Sequence, residues 1–338
     1  MIVLGVETSC DDTCAAVLRD GRELSSVVAS QDDVHAPYGG VVPELAARNH
    51  VVHVGPTIER ALGDAGISLD DVDGVAATRG PGLVGSLLVG LGVAKAIARR
   101  RKLPFVGVHH IEGHLLSIAL DREVARPFLG LVVSGGHSAL YWAREDGGYA
   151  VLGQTRDDAA GEAFDKGAKL LGLGYPGGRE IERLAAVGDP QAIALPRPRV
   201  RGAALDLSFS GLKTALWQAR RDRPAASPAD LAASFQRAIV EMLVTAARRA
   251  VRATGTTRLV LAGGVSANRA LREAMGAMAM EEGAELYVPP LRRCTDNAAM
   301  IAWAGWRRLA RGESDPLDLN AEADLPLGPR MDVEALDV

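Results

Sequence analysis

The stretch MIVLGVETSCDDTCAAVL, residues 1–18, decides the fold. Residues 1–6 and 14–18 are apolar runs, separated by the acid-bearing segment Glu7-Thr8-Ser9-Cys10-Asp11-Asp12. Two short apolar runs around a polar turn predict a β-hairpin. The pattern returns downstream: residues 128–133 are apolar, Ser134-Gly135-Gly136-His137 makes the turn, and residues 138–142 run back. Helix-length segments at 43–65, 83–101, 231–253, 266–280 and 296–309 are interleaved with strand-length runs at 75–78, 105–108, 259–262 and 286–288. Strands alternating with helices predict a largely α/β architecture, and the repeated hairpin opening reads as an internal duplication. The expected organisation is an N-terminal lobe over residues 1–125, completed by the helix near 296–312. A C-terminal lobe follows over residues 126–295, and residues 313–338 form a loosely packed acidic tail.

A chain of 338 residues exceeds what a single core usually holds, which agrees with two lobes. With 48% hydrophobic and 24% charged residues, the composition excludes a disordered, collagen-like or fibrous chain. The best candidate for a membrane span, residues 80–94, is fifteen residues long and contains five glycines. That falls short of the ~20 apolar residues a spanning helix needs. The N-terminal segment lacks the basic flank of a secretory signal, and the three cysteines are an odd, sparse set. Both features fit a reducing compartment, so the expected location is cytoplasmic. Residues 313–338 hold eight acids and one arginine, so the net −4 of the chain leaves +3 on the first 312 residues. Basic runs at 99–102, 196–201 and 292–293 read as solvated loops and helix ends, or as contacts with a polyanion.

His110-Ile111-Glu112-Gly113-His114 is the sharpest chemical signal. Histidines at i and i+4 share one helix face, so both imidazoles can reach one cation. Ordinary buried or capping histidines are the alternative. The motif is not that of zinc proteases, in which Glu directly follows the first His; here Ile111 does. A histidine pair needs a further ligand, and Asp296 stands where a helix begins, a position that equally suits an N-cap. Glycine-rich turns after the apolar runs, at 132–138 and 262–268, allow backbone N–H groups to approach an anion. Neither turn is a Walker loop or a dinucleotide fingerprint. Glu7, Asp11 and Asp12 in the first turn can hold a metal, accept a proton or simply be solvated. Cys10 and Cys14 form a C-x₃-C pair with no second pair to complete a zinc site. Asp165 and the turn at Gly178 can bracket a ribose, or can be surface charge and a turn.

Taken together the motifs resemble the tRNA adenosine threonylcarbamoyltransferases (TsaD, with relatives called Kae and Qri). The matching strings run collinearly over about residues 1–310: 5–13, 38–46, 80–85, 109–114, 133–138, 158–166, 208–214, 263–269 and 294–301. The resemblance implies an actin-like fold of two duplicated α/β lobes with a nucleotide cleft between them. It implies transfer of threonylcarbamoyl from threonylcarbamoyl-AMP to the N6 amine of adenosine 37 in tRNAs reading codons that start with A. By the family pattern His110, His114 and Asp296 hold one metal, ferrous iron with zinc as the alternative. Val132, Val133, Ser134, Gly135, Gly136, Asp165, Gly178 and Asn268 hold the adenylate, and Asp11 is the catalytic candidate. The implied partners are tRNA, an inactive paralogue of the same fold (TsaB-like) and a P-loop ATPase (TsaE-like), with no membrane.

The sequence departs from the family pattern in four places. Arg179 replaces a frequent Pro, Glu182 stands where some relatives place an Asp near the ribose, and Asp12 replaces a frequent Glu. Residues 325–338 lack the Arg-Trp ending of some relatives. Two competing readings are a metalloprotease, against which the missing Glu after His110 speaks, and a non-catalytic nucleotide-binding protein of the actin-like superfamily.

Overall fold

A computed structural model describes residues 1–332 of the chain. In chain order its main elements are β1 (Ile2–Glu7), β2 (Thr13–Arg19), β3 (Arg22–Ala29), α1 (Asp32–His35), α2 (Pro43–Asp64), β4 (Gly74–Gly80), α3 (Val84–Arg101), β5 (Phe105–His109) and α4 (His110–Leu116). They continue with β6 (Phe128–Val133), β7 (Ser138–Ala143), β8 (Tyr149–Gln154), α5 (Ala160–Leu171), α6 (Gly177–Ala185), α7 (Ser210–Asp222) and α8 (Pro228–Thr254). The last are β9 (Arg258–Ala262), α9 (Arg269–Glu281), β10 (Glu285–Tyr287) and α10 (Ala298–Ala310).

Contacts divide the chain into two compact units. Residues 1–123 and 296–327 make the first; residues 124–295 and 328–332 make the second. Each unit is built on one five-stranded sheet, ordered β3-β2-β1-β4-β5 in the first and β10-β9-β6-β7-β8 in the second. In the first sheet β1 pairs antiparallel with β2, and β1, β4 and β5 run parallel. In the second, β6 pairs antiparallel with β7 and parallel with β9, which pairs parallel with β10. The two sheets share one topology, and each opening hairpin is extended to a three-strand meander by β3 or β8.

In the first unit β1, β2, β4 and β5 bury both faces, as their near-continuous apolar runs require. Leu4, Val6, Ala15 and Val17 pack beneath α2 and α3. Their neighbours Val3, Cys14, Ala16 and Leu18 alternate onto the opposite face, beneath α10. The second unit packs Leu129, Leu131 and Val133 of β6 against residues of α5 to α9 in one core.

Two local expectations change. The segment read as one helix over 266–280 is a short 3₁₀ turn followed by α9, because Asn268 caps α9 by accepting the Leu271 N–H at 3.0 Å. The acidic residues after 313 do not form a loose tail as far as they are described. Asp315 takes two bonds from the Arg308 guanidinium, Glu322 pairs with Arg79 at 2.8 Å, and Arg330 pairs with buried Asp206. Residues 333–338 of the expected tail lie outside the described residues.

Candidate metal centre and glycine-rich turns

Strands β1, β4 and β5 run parallel, so their carboxyl ends meet at one edge of the first sheet. Open α/β sheets offer that edge to ligands. Glu7 ends β1, Thr78 lies near the end of β4, and β5 passes directly into α4. His109 is the N-cap of α4 and accepts the Ile111 N–H, so His110 and His114 occupy its first turns. Across from them, the N-cap of α10 is Asn297, whose side-chain oxygen accepts the Met300 N–H at 3.0 Å. Asp296 is therefore not the cap. Its carboxylate turns to the histidines instead: His114 Nε2 lies 3.1 Å and His110 Nε2 3.6 Å from the same Asp296 oxygen. The three donor atoms lie within 4.8 Å of one another.

Sequence spacing did not reveal what stands behind His110. Glu7 is fully buried, and its Oε2 lies 2.9 Å from His110 Nδ1; it also accepts the Thr78 hydroxyl. The Ser9 hydroxyl is 3.1 Å from the same nitrogen. A carboxylate on the rear nitrogen of an imidazole fixes the tautomer and leaves the front nitrogen to donate its lone pair. Burial disfavours a charged His110, but the Glu7 and Asp296 carboxylates outweigh it and hold the pKa up at about 9. For Glu7, burial acts upward and is outweighed by the charge and hydrogen bond of His110, which bring its pKa down. The only hint in the sequence was a carboxylate ending an otherwise apolar strand.

The donor set fits a divalent cation. Two imidazole nitrogens and a carboxylate oxygen suit iron or zinc, and the surrounding carboxylates need a counter-charge. Asp11 is pushed up by burial and by Asp296, and Asp12 is pushed up to about 7 by burial, Asp296 and Asp11. Among the described residues, the buried His114 Nδ1 has no hydrogen-bond partner, so its orientation rests on packing. Cys10 and Cys14 stand outside the group of donors formed by His110, His114 and Asp296; burial pushes both thiols well up, and the Cys14 thiol donates to the Asp296 carbonyl at 3.6 Å.

Gly113, between the two histidines, determines how closely α10 approaches. A methyl built there would lie 2.9 Å from Ile301 Cδ1 and 3.1 Å from Met300 Cγ. Gly113→Val is expected to push α10 outward, costing about 1–3 kcal/mol of stability. It should also weaken metal retention by drawing Asp296 from the histidines. Thermal unfolding and metal titration would check the two effects separately. For Glu7→Gln, which keeps the shape and removes the charge, metal affinity is expected to fall about 10–100-fold. A competition titration against a chelator reads this directly.

The other expected site residues lie in the second unit. Parallel β6 and β9 end side by side in glycine turns, and Gly263, at φ 89°, would place a Cβ 2.4 Å from the Val133 carbonyl. No other residue could let the two turns approach so closely. Val132 and Val133 are thus β6 residues, and Ser134, Gly135 and Gly136 form the turn, closed by Ser134 N–H on the His137 carbonyl at 2.7 Å. Asp165 on α5 accepts the Gly177 N–H at 2.8 Å, which brings it beside Gly178 in the first turn of α6. Asn268 has both ends of its amide engaged, as the α9 cap and as donor to Gln236 at 2.8 Å. Glu182 accepts the Arg269 N–H and ties α6 to the same helix start.

The duplicated sheets match known architectures. HypF of T. kodakarensis superposes with a TM-score of 0.64 at 15% identity, covering 92% of this chain and 48% of that one. The (R)-2-hydroxyglutaryl-CoA dehydratase component A of Acidaminococcus fermentans gives 0.57 at 16% identity, covering 92% and 99%. The fold is that of the actin-like α/β proteins. Sequence narrows the class further. The family model described as tRNA N6-adenosine threonylcarbamoyltransferase (TsaD) matches residues 22–303. Curated proteins of that name from Geobacter metallireducens and Anaeromyxobacter dehalogenans (strain 2CP-1) are 55% and 58% identical. The alignments cover 97% of this chain and 97% of the first protein, and 95% and 98% for the second. The chain belongs to the tRNA N6-adenosine threonylcarbamoyltransferase family and is a tRNA-modifying transferase. Among the described residues, no helix is long and apolar enough to cross a membrane.

Proposed function

We propose that this chain transfers the threonylcarbamoyl group from threonylcarbamoyl-AMP to the N6 amine of adenosine 37 in tRNAs reading codons that start with A. A divalent metal, ferrous iron with zinc as the alternative, is held by His110, His114 and Asp296. The observation that carries the reading is the convergence of both imidazole Nε2 atoms on one Asp296 oxygen, with buried Glu7 behind His110. Family membership supplies the reaction class.

An adenine amine is a poor nucleophile because its lone pair is delocalised into the ring, so it needs an activated acyl donor. The mixed carbamic–phosphoric anhydride is one. The amine nitrogen bonds to the carbamoyl carbon, the bond from that carbon to the phosphate oxygen breaks, AMP leaves, and N6 loses a proton. A cation held by His110, His114 and Asp296 would supply Lewis-acid chemistry. Asp11, its carboxyl raised by burial, accepts the proton. Val132 and Val133 end β6 and set the position of Ser134, Gly135 and Gly136, which offer the phosphate a turn without bulky side chains. Asp165 and Gly178 take the ribose side, and Asn268, at the start of α9, completes the set that holds the adenylate. The reaction requires no covalent enzyme intermediate.

The proposed setting is the cytoplasm. The proposed assembly includes tRNA, an inactive TsaB-like paralogue and a TsaE-like P-loop ATPase. The test is reconstitution with those partners, the adenylate-forming enzyme, tRNA, threonine, bicarbonate and ATP. Mass spectrometry of digested tRNA should show the threonylcarbamoyl adduct at adenosine 37. No adduct, where another member of the family forms it alongside, overturns the assignment.

A further inference from the structure

Residues 197–252 carry eleven lysines and arginines against four acids, in a chain whose net charge is −4. This charge is organised on the second unit. The strap Arg197-Pro198-Arg199-Val200-Arg201 leads toward α7, and a methyl built on Gly211 would touch Pro198 at 3.5 Å. Arg197 is held by Glu241 at 2.6 Å, a carboxylate shared with Arg237. Arg199 and Arg201 are exposed and form no ion pair among the described residues. The strap also borders a cavity of about 560 Å³, whose lining includes Arg197, Arg199, Arg248 and Arg249.

On α7 itself, Lys213, Trp217 and Arg221 recur every four residues and so share a face. All three are exposed. Trp217 leaves 49% of its surface in solvent, and the Arg221 guanidinium lies 4.9 Å from its ring centroid while also pairing with Asp222. An exposed indole with a cation on it, on the helix whose start meets the strap at Pro198, matches the chemistry of single-stranded RNA: guanidinium and ammonium for phosphates, an aromatic face for an unstacked base.

We propose that this strap and the exposed face of α7 form an RNA-docking surface. Arg199, Arg201 and Lys213 neutralise phosphates, and Trp217 stacks an unpaired base. The inference rests on tRNA as the substrate, and it names where that substrate is gripped.

The full chain and an unmodified tRNA transcript, titrated by fluorescence anisotropy across a range of salt, provide the test. The double variant Arg199→Gln/Arg201→Gln is expected to bind on the order of tenfold more weakly at about 0.1 M salt, with the slope of log affinity against log salt reduced by about 2. Trp217→Ala should weaken binding by about tenfold and leave that slope unchanged. Arg99→Gln/Arg100→Gln on α3 removes the same charge elsewhere and should change neither. Patch variants that behave like the α3 control overturn the proposal. So does a wild-type chain that fails to retain tRNA, or a patch whose variants lose only an acidic protein partner. The two readings fail separately. If tRNA binding depends on the patch but wild type transfers nothing, the transferase chemistry falls and the surface stands. If transfer proceeds in the patch variants with an unchanged KM for tRNA, the surface falls alone.

Discussion

His114→Ala is expected to lose metal retention and, with it, transfer to tRNA. Structural zinc sites of four ligands bind with about 10–16 kcal/mol, or about 2.5–4 kcal/mol per ligand, so one lost imidazole weakens binding on the order of 10²–10³. His114 is fully buried on α4, and its Nε2 lies 3.1 Å from Asp296. The ring therefore contributes packing as well as a donor, and alanine removes both. His114→Gln keeps most of the volume and isolates the donor. Two readouts separate binding from catalysis. Wild-type protein at a metal concentration 100 times its Kd should gain about 2.7 kcal/mol of stability, whereas neither variant should gain a comparable amount. The metal content of the purified protein should fall in parallel. A His114→Gln chain that keeps full metal affinity would remove His114 from the ligand set.

Reading this site from sequence succeeded where the periodicity is local and stopped where it is not. His110 and His114 are one helical turn apart, so their shared face is a consequence of helix geometry. The strand before them and the hairpin at residues 1–18 were equally legible, because apolar runs bounded by polar turns have few other ways to fold. Asp296 was ambiguous. Only the structure shows Asn297 taking the cap and turning the preceding carboxylate toward the histidines. Glu7 lies 103 positions from His110 in the chain, and no spacing rule reaches that far; their contact follows from β1, β4 and β5 sharing one parallel register. Strand β3 escaped notice because its burial alternates weakly along an exposed sheet edge. Asp165 lies on a helix face, as the repeat of buried Ala160, Ala163, Phe164 and Ala168 along α5 allows, whereas Gly178, expected in a tight turn, stands in the first turn of helix α6.

Asp11→Asn is expected to lower kcat by about 10²–10⁴, the usual contribution of a positioned acid or base, with metal affinity largely retained. A base works only when deprotonated, so wild-type kcat should fall as pH drops through the carboxyl pKa of Asp11. Burial, the largest cause, moves that pKa above its ordinary 3.8 in the metal-free protein, and a cation on Asp296 offsets the repulsion from that carboxylate, so the acid limb rests on burial and the variant should lack it. Asp12 supplies an internal control. Its carboxyl is pushed up to about 7 by burial first, then by Asp296 and Asp11. Asp12 is not among the groups that move the Asp11 carboxyl, so Asp12→Asn should leave both the acid limb and the plateau kcat in place. Stability, by contrast, must change. With a folded pKa above the unfolded one, Asp12 holds its proton longer in the native protein, so metal-free protein loses stability as pH rises from about 4 to about 7. The loss levels off above that range at no more than a few kcal/mol. The metal-free Asp12→Asn variant should therefore be more stable than wild type at pH 8 and indistinguishable from it near pH 4. Equal urea midpoints for the two proteins at pH 8 would show that Asp12 carries no buried charge there.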